Sequence, residues 1–318
     1  YDENLKRSLT NFLSFDRAEI IKQSVKIFIL YLSLTFLIFI ILELIGLRTF
    51  DSVNLAMTLI SSGGFLPINN LESILNSQTK LIIFSLLMLI SFFSLFFLYN
   101  LLVYKKRGIK FIQEDIYLIA YLITLIFVFF LFVDKDINFS IIFLSISSSI
   151  SNIGVSLKNT PQYLSFIFLI LIIIGGSFFS TSSGLRFLKL VSLFNFSINE
   201  IISNAKPKNV FINKLFFSEK IMEKSDFYKY FLSILIFIIS LIFLSTIISI
   251  SGLSFEQSFK LSILTLMNTV NSHMTELNAL DFEQMGNFVK YFLILFMIIG
   301  RVELISILII FKKFFFKN

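Results

Sequence analysis

Residues 138–154 read NFSIIFLSISSSISNIG. The stretch opens on an asparagine, runs through Ile, Phe, Leu and Ser, and closes on a Ser-Asn-Ile-Gly turn. It is too short to cross a bilayer, which takes about 20 helical residues. Its serines also make it too polar to sit alone in lipid. A long apolar run follows near 163, so this is not a loop leading away from the membrane. The pattern reads as a re-entrant half-helix. Irregular backbone at membrane depth is tolerated where it is buried in protein or lines a water-filled cavity. Two more segments share the pattern: 51–65, DSVNLAMTLISSGGF, and 254–271, SFEQSFKLSILTLMNTVN.

Around these segments lie six apolar runs, near 26–47, 80–104, 115–133, 163–187, 229–250 and 288–311. The order span, half-helix, polar turn, span occurs three times, and such repetition is an architectural signal. The expected fold is an all-α polytopic membrane protein. Three span–re-entrant pore helix–span repeats surround a central pore, as in potassium channels. Residues 1–25 read as a cytoplasmic linker. The repeats cover 26–113, 114–190 and 229–318, with a cytoplasmic loop at 191–228.

Composition agrees. Of 318 residues 56% are hydrophobic and 15% charged, with a mean hydropathy of +0.89. Soluble domains carry about 25% charged residues. The absence of cysteine excludes disulfides and thiolate metal sites, and one histidine, His273, argues against a histidine-rich metal centre. The net charge of +7 fits basic membrane flanks better than nucleic acid. No signal peptide is visible. The opening YDENLKRSLTNF lacks an initiator Met and reads as a loop between domains, so a fragment is expected.

Lys and Arg cluster in 1–26, in KKRGIKFIQ at 105–113, in 188–229 and in the tail. With six spans all four clusters fall on one side. The positive-inside rule then places both termini in the cytoplasm and brings the half-helices in from outside.

The half-helices end in SSGGF (61–65), SNIGV (151–155) and NTVNSH (268–273). Turns of this kind aim backbone carbonyls into a pore, and a ring of carbonyls replaces the hydration shell of a potassium ion. Glycine permits the dihedrals this requires. The partly negative C-terminus of each half-helix favours a cation at the membrane centre. The candidate ion-binding residues are Ser62, Gly63 and Gly64; Asn152, Ile153 and Gly154; and Val270 and Asn271. Below them, GGSFFSTSSG (175–184) interrupts a span with small and polar residues. Gly175, Gly176, Ser177, Ser180, Thr181, Ser182, Ser183 and Gly184 are the candidate gate, with a satisfied helix kink as the alternative. Arg186 and Lys189 mark the cytoplasmic boundary. Arg301 and Glu303 lie deep in the last apolar run, where charges are costly and face a bundle interior or a pathway. Two positions apart on a helix, they point to different faces. Glu43, Asp51, Asp134, Asp136, Glu276, Asp281 and Glu283 fall near the outer face. His273 reads as an exposed loop residue there.

Four passages carry a family resemblance: SSGGFLP (61–67), SISSSISNIGVS (145–156), IIIGGSFFSTSSGLRFLKL (172–190) and MIIGRVELISILIIF (297–311). The loop AKPKNVFINK (205–214) fits as well. Together they resemble the Trk/Ktr/HKT superfamily of potassium transporters, and most of all its bacterial TrkH-type subunits. The resemblance implies filter glycines at Gly64 and Gly154, and a filter position at Asn271 where the family has glycine. It implies that loop 175–184 obstructs the pore below the filter and that Arg301 is a pore-side charge. It implies four repeats where this chain shows three, with residues 1–25 resembling the linker after the first. It also implies a multi-pass protein of the bacterial cytoplasmic (inner) membrane, a homodimer, and a cytoplasmic TrkA-type nucleotide-binding subunit docking on the basic loops. No cofactor is expected in this chain, and potassium is the substrate. Asn271 keeps a sodium-permeable or sodium-coupled transporter open. The three visible repeats keep open a truncated, non-conducting membrane protein. No catalytic pair or nucleotide-binding loop appears, so no enzyme is expected.

Overall fold

The structure is a computed structural model, and it describes residues 19–67, 71–95, 97–98, 109–132, 138–205, 224–277, 282 and 285–302. Among the described residues there is no named β-strand, and the elements are helical.

Helix α1 (Glu19–Leu44) begins inside the segment expected as a linker. Leu30, Leu34, Ile38 and Leu42 are buried at four-residue spacing, and they form one stripe. Phe28, Ile29, Leu32 and Phe36 remain exposed on the other faces, as lipid-facing positions should. The stripe packs on α2 (Thr49–Ser61), whose buried side includes Leu55, Ala56, Leu59 and Ile60. Helix α3 (Gln78–Met88) is capped by Ser77, whose Oγ accepts from the Lys80 amide at 3.3 Å. It tightens into one 3-10 turn, Leu89–Ser91, and then leaves the helix. The apolar run at 80–104 is therefore broken where a continuous span was expected.

The next unit repeats the order. Helix α4 (Ile109–Phe132) is long and largely exposed, and α5 (Phe139–Ile150) is short and almost wholly buried. The buried serines of α5 satisfy themselves along the helix. Ser145 Oγ donates to Ile141 O at 3.0 Å, and Ser149 Oγ to Ser145 O at 2.7 Å. Such back-bonding lets polar residues sit in an apolar core. Helix α6 (Ser165–Ile173) is less than half of the expected span at 163–187. An irregular segment follows, and then α7 (Phe187–Ala205). Part of the region expected as a loop, 191–228, is thus helical. Its periodic burial at Leu188 and Ser192, with Phe194 and Ile198 exposed, explains why.

The third unit is α8 (Lys224–Ile250), α9 (Phe255–Leu266) and α10 (Asn287–Val302). Ser254 caps α9 by accepting from the Gln257 amide at 3.3 Å. Among the described residues, three helices are long and apolar enough to cross a membrane: Ile27–Leu44, Glu114–Leu131 and Phe227–Ile250. The short helices α2, α5 and α9 have 12 or 13 residues each and fall short of that length.

Among the described residues, two apolar clusters hold the fold. One joins α1, α2 and α3 and takes in Leu144, Ile153, Val155 and Leu157 from the second unit. The other joins the second and third units around Phe168, Ile172, Leu244 and Ile248. The first cluster reaches the turn after α5 through Ile153, and the second reaches the turn after α9 through Met267.

Candidate functional site

Each short helix ends the same way. Ser62, Asn152 and Asn268 adopt left-handed conformations with φ of 52°, 58° and 51°. In each turn the next amide reaches back five residues: Gly63 N to Thr58 O at 2.9 Å, Ile153 N to Ser148 O at 3.1 Å, and Thr269 N to Leu264 O at 2.9 Å. These shared bonds fix a register. Gly64, Gly154 and Val270 are equivalent, each two residues past the left-handed cap.

The register corrects one expectation. Val270, not Asn271, stands where the other turns have glycine. Gly64 and Gly154 have φ of +72° and +82°. Val270 is not among the positive-φ residues, because a β-branched side chain disfavours that region. Asn271 serves the outer loop. Its Nδ2 donates to Leu277 O at 3.2 Å, and its Oδ1 accepts from Thr275 Oγ1 at 2.9 Å.

The three turns meet. A Cβ on Gly64 would collide with Ile153 O and lie 2.5 Å from Val270 Cγ2. A Cβ on Gly154 would collide with Val270 O and lie 2.6 Å from Val270 N. Only glycine fits these approaches, at backbone angles that L-residues rarely adopt. Asn152 ties two units together, with Nδ2 donating to Ile172 O at 2.7 Å and to Thr269 Oγ1 at 3.4 Å. Two oxygens at the cap register, Ser62 Oγ and Asn152 Oδ1, are buried with no hydrogen-bond partner among the described residues. The ends of three helix dipoles therefore meet among carbonyls and orphaned oxygens. Such a place suits a cation.

The interrupting segment is a folded knot rather than a kink. Gly175 N donates to Leu185 O at 2.8 Å and Leu185 N to Ile173 O at 3.0 Å, around an isolated parallel bridge between Ile174 and Leu185. Gly176 N donates to Ser182 Oγ at 3.1 Å, and Ser180 Oγ to Ser177 O at 2.7 Å. Gly184 completes the turn with φ of +89°. Arg186 does not merely mark a boundary. Its Nη1 reaches Ser177 O at 3.2 Å, Ser180 O at 3.3 Å, Ser180 Oγ at 3.2 Å and Ser182 O at 2.9 Å. Lys189 is buried on α7.

The knot is stitched to the break after α3. Ser177 N donates to Phe92 O and Ser182 N to Ser91 O, both at 3.1 Å, and Thr181 Oγ1 to Ser91 O at 3.3 Å. Sequence reading missed Ser91, Phe92 and Ser94 because the run there is apolar enough to pass for a continuous helix. It also missed Glu114 and Asp115, two carboxylates at the start of an apolar segment. Adjacent acids in such a place are a signal in themselves.

Arg301 reaches both parts of the site. Its Nη1 donates to Ser183 Oγ at 3.3 Å and its Nη2 to Ser61 O at 3.0 Å. Among the described residues no carboxylate lies within ion-pair distance of it. Glu303 lies outside the described residues, as do Asp134, Asp136, Asp281 and Glu283.

Of the acids expected at the outer face, Glu43, Asp51 and Glu276 are among the described residues. Asp51 is buried in the first turn of α2. Lys260 Nζ, buried on α9, lies 2.7 Å from Glu256 Oε1 and 3.1 Å from Glu276 Oε2. The Lys260 hydrogen bond holds the exposed Glu256 carboxyl below its usual range. Burial works to lower the pKa of Lys260, but the two carboxylates together raise it. His273 is exposed at the start of a 3-10 turn. Among the described residues no group of three or more His, Cys, Asp or Glu could hold a metal ion.

No protein-family model and no curated protein sequence matches the chain. The solved structures do include a match, the crystal structure of the potassium transporter TrkH from Vibrio parahaemolyticus. The TM-score is 0.78 at 18% sequence identity, over 93% of this chain. The match spans 65% of the transporter's own chain. Over nearly all of its length, this membrane chain has the fold of that TrkH structure.

Proposed function

We propose that this chain takes up potassium across the cytoplasmic membrane as the ion-conducting subunit of a Trk-type system. The observation that carries this reading is the meeting of the three turns, with Gly64 against Ile153 and Gly154 against Val270. Ions would shed water onto carbonyls of Ser62–Gly64, Asn152–Gly154 and the Val270 turn. They would then pass Arg301 and the knot at 175–184, which acts as the gate. The likeness in fold to a potassium transporter supports the reading. The Lys and Arg distribution supports termini in the cytoplasm. The sequence resemblance is what supports a homodimer and a nucleotide-binding partner on the basic loops.

Val270 favours a second reading, a sodium-permeable or sodium-coupled transporter. A turn with a side chain at the glycine register offers a cation a different set of carbonyls from the other two, and filter selectivity depends on that set.

Rubidium uptake into proteoliposomes holding the purified chain, with sodium as competitor, separates these readings. Saturable uptake resisting sodium supports the potassium reading, and uptake suppressed by equal sodium supports the second. No saturable uptake favours a non-conducting protein.

A further inference from the structure

Helix α4 starts its apolar span on two adjacent carboxylates, Glu114 and Asp115. Ionisable groups in such a segment are costly, and they call for a reason. The proposed ion path uses neither.

Both carboxylates are committed to backbone that has left a helix. Glu114 Oε2 accepts from Ser177 Oγ at 3.2 Å, and Glu114 Oε1 from Phe178 N at 3.1 Å. These donors belong to the knot. Asp115 is fully buried, and its Oδ1 accepts from Ser94 N at 3.0 Å. That donor belongs to the break after α3. Successive residues on a helix diverge by about 100°, so one turn of α4 can face both segments. The two segments also bond to each other, with Ser177 N on Phe92 O and Leu95 N on Phe179 O. The acids thus close a ring of contacts: α4 to the knot, the knot to the break, and the break back to α4.

We propose that Glu114 and Asp115 are positioning residues that lock the knot and the break after α3 into one moving unit. The 175–184 segment then opens only when both carboxylate contacts give way. The inference rests on reading that segment as a gate, and names what holds it shut.

The chain has no cysteine, so Thr181→Cys supplies a single reporter thiol in the knot. The full chain is reconstituted in liposomes and labelled with a membrane-impermeant, cationic thiosulfonate. Glu114→Gln should speed labelling about five-fold, the scale of one lost hydrogen bond. Asp115→Asn should do the same, because its side chain meets Ser94 in the break and Ser177 in the knot. The double variant should add little to the larger single effect, as coupled sites do. Unchanged labelling in Asp115→Asn, with normal insertion and abundance, overturns the proposal. The reciprocal arm separates a joint lock from a local contact, and it decides too where Asp115→Asn fails to fold, because Glu114 bonds to Ser177 and Phe178 of the knot. Glu114→Gln should then speed labelling of a Ser94→Cys reporter, and an unchanged rate there overturns the proposal equally. Neither arm needs cation flux. A chain that carries no rubidium would sink the transport reading while the labelling still returned its answer.

Discussion

Arg301 and Ser61 stand 240 positions apart in the chain, and the guanidinium donates to the Ser61 carbonyl at 3.0 Å. Ser61 is the last residue of α2, where helix carbonyls lack intrahelical partners and carry partial negative charge. Arg301 thus places a positive charge on a helix end that would otherwise attract a cation. Its second contact, Ser183 Oγ at 3.3 Å, lies in the knot. One side chain therefore joins the first turn, the knot and the last helix.

Arg301→Ala should raise rubidium uptake about ten-fold, the change produced by lowering a barrier by roughly 1.4 kcal/mol. Arg301→Gln keeps a donor without the charge and should behave similarly. Uptake per inserted molecule is the measurement. Lower abundance with unchanged uptake per molecule would assign Arg301 a structural role instead.

Val270 is the point at which the third turn differs from the other two. Val270→Gly removes the methyl that faces Gly64 and lets the turn adopt positive φ. The sodium concentration that halves rubidium uptake should rise about five-fold, close to 1 kcal/mol of discrimination. Asn271→Gly should leave that concentration unchanged. It should cost about 1 kcal/mol of stability through its lost hydrogen bonds to Leu277 and Thr275. A selectivity change at Asn271 and none at Val270 would reverse the register.

Gly300 lets α10 approach the end of α9. A Cβ there would collide with Leu266 O and lie 2.9 Å from Leu266 C. Both atoms are backbone, so neither can swing aside. Gly300→Ala should destabilise the protein by about 1–3 kcal/mol, the range for overpacking. Thermal unfolding in detergent measures it, and an unchanged midpoint would mean that α10 shifts freely against α9.

What the sequence made legible was pattern. The three short, polar-ended helices stood out because 12 or 13 residues cannot span a bilayer, and the structure has them at Thr49–Ser61, Phe139–Ile150 and Phe255–Leu266. The stretch 175–184 stood out because glycines and serines in an apolar run need partners. The partners themselves were hidden. Ser91 and Phe92 supply carbonyls, and a carbonyl has no letter in a sequence. Glu114 supplies a carboxylate from 63 positions away along the chain and Asp115 one from 21, separations that no local pattern encodes. The one-residue error at Val270 has a similar cause. In NTVNSH nothing local separates Val from Asn, and the family resemblance sets Asn271 at the glycine position, where its tolerance of left-handed angles raises no objection. The backbone spends that tolerance on Asn268 instead, at φ 51°.

The central claim is that the three turns form one cation path, and Gly154 tests it most directly. Its φ is +82°, and a methyl there would strike Val270 O, inside the turn that the path requires. Rubidium uptake should be measured for the parent chain and for Gly154→Ala in proteoliposomes matched for inserted protein. The account predicts saturable uptake in the parent and at least a ten-fold loss in the variant. Equal uptake in both would contradict it, because ions would then be crossing by a route that does not pass Gly154.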